Sequence, residues 1–84
     1  MYIKMGDKSR FSDLLNAVGQ SEIKDAEELS YLLTMLTHRY LNMKPESISM
    51  YGEVLGALEM TKLELFRRHV ALLENEKIKE NGDI

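Results

Sequence analysis

The sequence predicts an all-α protein: a small three-helix domain with a long C-terminal helix, assembling as a homo-oligomer. Three observations carry the prediction. The 84 residues include one proline and five glycines, so little interrupts a helix. Apolar residues recur at spacings of three and four rather than two. Residues that favour helix N-termini (Asp7, Ser9, Asp25, Ser47) stand ahead of the apolar runs.

The first helix is expected from Ser9 to Val18, with Asp7 or Ser9 as its N-cap and Gly19 as its stop. Phe11, Leu14, Leu15 and Val18 make its apolar face. The second opens at Asp25, where "DAEE" sets a glutamate three residues after the cap, a close relative of the capping box. It runs to about Met43, because Pro45 opposes continuation. The third begins near Ser47, and its pattern continues to Leu73 and on to Glu80, where "NG" ends it. The charged tail "ENEKIKENGDI" reads as a frayed helix end and a turn within a single domain spanning 1–84.

Length drives the expectation of assembly. A helix from Ser47 to Leu73 is about 40 Å long, whereas a compact domain of this size is about 30 Å across. The second helix also has too much apolar surface for one neighbour. Leu29, Leu33, Leu36 and Tyr40 form a stripe, with Tyr31, Leu32 and Met35 largely outside it. The competing architecture is a compact monomeric bundle with a bent third helix. Gly52 and Gly56, four apart, imply either a close approach by another backbone or ligand, or a locally weak helix start.

Composition narrows the function classes. A chain this short is marginal alone, and with no cysteine it has no disulfide to support it. The N-terminal "MYIKMGDKSRF" has no signal-peptide core, and "YLLTML" is far too short to span a membrane. A soluble, cytoplasmic protein is expected. The net charge of −3 is spread along the chain, which argues against both a DNA mimic and a general DNA binder. The connection "NMKPESIS" is also too long for a helix-turn-helix turn.

Catalytic machinery is not apparent: no cysteine nucleophile, no phosphate loop, and His38 and His69 without zinc-site spacing. A non-enzymatic protein with no cofactor is expected. The basic residues are the stronger signal. Lys62, Arg67, Arg68 and His69 lie within two turns, His38 and Arg39 on the second helix, and Lys4, Lys8 and Arg10 near the start. By spacing alone Glu64 pairs with Arg67 or Arg68, and Glu59 with Lys62. Arginine forks also suit phosphates and carboxylates, and an oligomer would bring such clusters together. The tyrosines are core residues with a polar tip, or stacking surfaces for a flat ligand.

Four segments, "MYI", "EELSYLLTMLTHRYL", "GEVLGALEMTKLELFRRHVA" and "KIKENGDI", resemble a family of small uncharacterised proteins of phages, prophages and some bacterial genomes. The resemblance rests on a KLE-aromatic-RR helix, here "KLELFRR", and on the "KIKENGD" end. Where that family breaks the third helix with Pro-Tyr, this chain has Leu72 and Leu73. By analogy, the resemblance implies a phage-type accessory protein in a bacterial cytoplasm. Joined to the basic cluster, it implies capture of an anionic nucleotide-like ligand, a counter-defence sponge. Arg10, Tyr31, His38, Lys62, Arg67 and Arg68 are the candidate ligand residues. The alternative is a helical protein–protein interaction module with no small ligand.

Overall fold

The computed structural model describes residues 2–84, and its regular structure is helical. Three helical segments are present, the last much the longest. The packing divides into two units, Met1–Glu46 and Ser47–Ile84.

The first unit begins with a short helix, α1 (Met5–Lys8), a 3-10 turn at Ser9–Phe11, and α2 (Ser12–Gln20). The first helix thus starts earlier than its apolar spacing indicates, and it is not uniform. Ser9 and Ser12 explain the tightened turn. Each hydroxyl donates to the carbonyl three residues back, Ser9 to Gly6 and Ser12 to Ser9, both at 2.8 Å. The helix passes through Gly19 and ends at Gln20; Ser21 is extended, and its hydroxyl caps the Ala17 carbonyl at 2.7 Å.

The next helix, α3 (Ala26–Leu41), starts where the capping signal places it. Asp25 Oδ1 accepts the Glu28 amide at 2.9 Å. Glu28 Oε1 in turn accepts the Lys24 amide, also at 2.9 Å, one residue earlier than in the usual reciprocal box. The helix ends two residues short of Met43, in a turn where Met43 N–H reaches the Tyr40 carbonyl. The residue before Pro45 is pushed out of the helical region, and the turn absorbs that constraint. Among the described residues of this unit, α1 and α2 pack on the turn joining them, and α3 has no comparable packing with them.

The second unit is one helical run of 34 residues followed by a tail: α4 (Ile48–Leu65), a π-helical turn (Phe66–Val70) and α5 (Ala71–Asn81). At 1.5 Å per residue it is about 51 Å long. Ser47 Oγ caps it by accepting the Met50 amide at 3.1 Å. Leu72 and Leu73 do not break the run, and "ENEKIKEN" is regular helix rather than a frayed end. Gly82 stops it in a left-handed conformation (φ 80°) that suits glycine, its N–H donating to the Ile78 carbonyl at 2.8 Å.

Neither unit has a sizeable core. Among the described residues Met50, 4% exposed, is the buried hydrophobic one, while Leu14, Leu33, Leu55, Leu65 and Leu73 all stand open. Among the described residues a Cβ added at Gly52 or Gly56 would meet nothing within 4 Å.

Candidate functional site

The densest group of chemistry-bearing side chains sits at the π turn. There Ala71 N–H donates to the Phe66 carbonyl, five residues back instead of four. One extra residue is accommodated without breaking the helix, an arrangement frequent at functional positions. The inserted segment is "FRRHV", so Arg67, Arg68 and His69 all lie on it.

Both arginines converge on one carboxylate oxygen. Arg67 Nη2 lies 2.5 Å from Glu64 Oε1, and Arg68 Nε donates to the same atom. The Glu64 side chain is 18% exposed, whereas those of Arg67 and Arg68 are 64% and 55% exposed. The acid precedes its bases by three and four residues, the favourable order along the helix dipole. These charge-assisted bonds fix two neighbouring guanidinium groups in direction. Lys62, on the last turn of α4, turns instead to Glu59, with Nζ 3.3 Å from Oε1 and both side chains exposed. Arg67 and Arg68 are therefore brought together, and Lys62 is engaged separately.

The other candidates belong to the first unit. Arg10 lies on the 3-10 turn with its guanidinium carbon 5.5 Å from the Phe11 ring centroid, within cation–π range. Tyr31 and His38 are seven residues apart on α3, so they share a side about 10 Å apart along the axis. Both are exposed. Near the end of that helix Lys44 Nζ donates to the Tyr40 hydroxyl at 2.8 Å.

Among the described residues no group of three His, Asp or Glu side chains is arranged to hold a metal ion, and no helix is long and apolar enough to cross a membrane. Pairing of Glu64 with both arginines is legible in the i, i+3 and i, i+4 spacing. The π turn is not, because no residue in "FRRHV" marks an extra residue in a helix.

A family model described as Domain of unknown function (DUF6899) matches residues 1–84. No curated protein and no solved structure matches the chain.

Proposed function

The chain belongs to the DUF6899 family, and from that starting point we propose that it is a non-enzymatic helical interaction protein that works as a homo-oligomer. The supporting observation is its uncovered area. The chain exposes 7852 Å², where a compact monomer of 9.7 kDa exposes about 5,100 Å². Two separate bodies of half that mass would expose about 6,200 Å². The excess of about 1,700–2,700 Å² per chain surpasses the roughly 800 Å² per partner of a standard protein–protein interface. No disulfide is present to stabilise the chain instead.

Native mass spectrometry of freshly purified protein tests this reading. The expected result is a multiple of 9.7 kDa without a second polypeptide. A stoichiometric foreign protein would replace self-assembly by docking on a host or phage partner. A folded species at the monomer mass alone would overturn the proposal.

One observation favours a second reading, capture of an anionic nucleotide-like ligand by a phage-type accessory protein. Arg67 and Arg68 are held side by side on Glu64 with side chains 64% and 55% exposed. Such forks recognise phosphate by bidentate bonds. A panel of cyclic and ADP-ribose-type nucleotides should then raise the melting temperature, by mass action on the folded state. Replacing Arg67 and Arg68 together by alanine should remove that shift without dispersing the assembly. A panel without any shift rules the nucleotide reading out.

A further inference from the structure

Along α4, Tyr51, Leu55, Leu58 and Leu65 follow one another at intervals of four, three and seven, the a/d spacing of a coiled-coil seam. Lys62 occupies the polar position between Leu58 and Leu65. Its ammonium leans out to Glu59, which lets the aliphatic stem lie over the seam. Continued at the same spacing, the seam would next meet His69 and Leu72. The π turn changes that outcome. Its extra residue delays the helix by one position, so Val70 and Leu73 arrive where His69 and Leu72 would have stood. All six apolar seam residues are exposed in the chain.

Resting on the homo-oligomer reading above, we propose that a second copy of this chain docks along this seam. The π turn is then the one-residue skip that keeps the seam apolar from α4 into α5. Three considerations select a second copy as the occupant. The run from Ile48 to Asn81 is the only helical element of its unit, so nothing else in that unit covers it. The uncovered area per chain exceeds what one stable dimer interface needs. A second copy brings the same heptad seam, so one isologous contact covers both. Lys62 serves as the polar position that sets register within an apolar seam.

A matched pair of substitutions tests the proposal. Leu63 and Leu65 are the same residue type at 56% and 55% exposure, but they lie about 200° apart around the helix. Leu65→Glu should weaken self-association by roughly 30-fold or more in sedimentation equilibrium, as loss of a central anchor does. Leu63→Glu should leave it within about threefold of the starting value, as rim positions do. Since Leu65→Glu could instead unfold the chain, single cysteines give a second readout in a protein that has none of its own. Thiol labelling of Leu65→Cys should be at least tenfold slower than that of Leu63→Cys in the assembled protein. Deleting His69 should keep the assembly, because it removes the skip and its extra residue together. Inserting one alanine after His69 should disperse it. If wild type assembles but both glutamate variants associate alike, or both cysteines label alike, the seam is wrong and the homo-oligomer stands. A monomeric wild type overturns both.

Discussion

Asp25 and Glu28 together satisfy two amides that the start of a helix would otherwise leave unpaired, those of Glu28 and Lys24. Asp25→Ala is expected to lower stability by about 1 kcal/mol. Urea unfolding followed by circular dichroism measures this, with an unchanged denaturant slope. Ser47→Ala, which removes the cap on the Met50 amide, should act similarly on the second unit. Glu64 differs because it holds two partners at once while mostly buried itself. Glu64→Gln should cost about 0.5–1 kcal/mol, most of it at low salt. These local pairings were readable from spacing, because caps and i, i+4 ion pairs depend only on neighbours in the chain. Whether the arginines also meet a ligand was not readable, since that depends on what approaches them from outside.

Helix existence and the N-caps at Asp25 and Ser47 were legible because each has a signal within four residues, whereas neither Asp7 nor Ser9 is an N-cap, since the first helix begins ahead of both. The ends were less so: Gly19 does not stop α2, and α3 yields to its turn two residues early. The π turn leaves no compositional trace, since it reflects the register of two apolar faces rather than the identity of one residue. Gly52 and Gly56 show the same limit. Their spacing allowed a close approach by another backbone or a ligand, and the space around both is open in the single chain. Gly56 lies away from the Tyr51–Leu55–Leu58 seam, so Gly56→Ala should stabilise the protein by about 1 kcal/mol through helix propensity alone. Thermal unfolding at fixed protein concentration would detect it. A loss of stability would mean that a backbone from another molecule reaches that face.

Across the whole molecule, a chain that buries so little alone should fold and associate in one step. Its melting temperature should therefore fall on dilution, by roughly 4 °C per tenfold for a dimer of this size. Differential scanning calorimetry over two decades of concentration reads this directly. A concentration-independent transition would indicate a monomer that is stable without help. The length of the third helix was legible in the sequence, from a pattern that continues past Leu73. Which of its faces a partner would meet was not, because several apolar stripes on α3 and α4 compete and local spacing does not rank them.

Met50 is the buried methionine, while Met5, Met35, Met43 and Met60 are open to solvent in the single chain. Thioether oxidation follows exposure, so the methionines act as built-in chemical reporters at known positions. Under brief peroxide treatment of the folded protein Met50 should react last among these methionines. Any other methionine that becomes slow only in concentrated solution marks a surface that assembly has closed. Peptide mass spectrometry would then map the covered faces without altering a single residue.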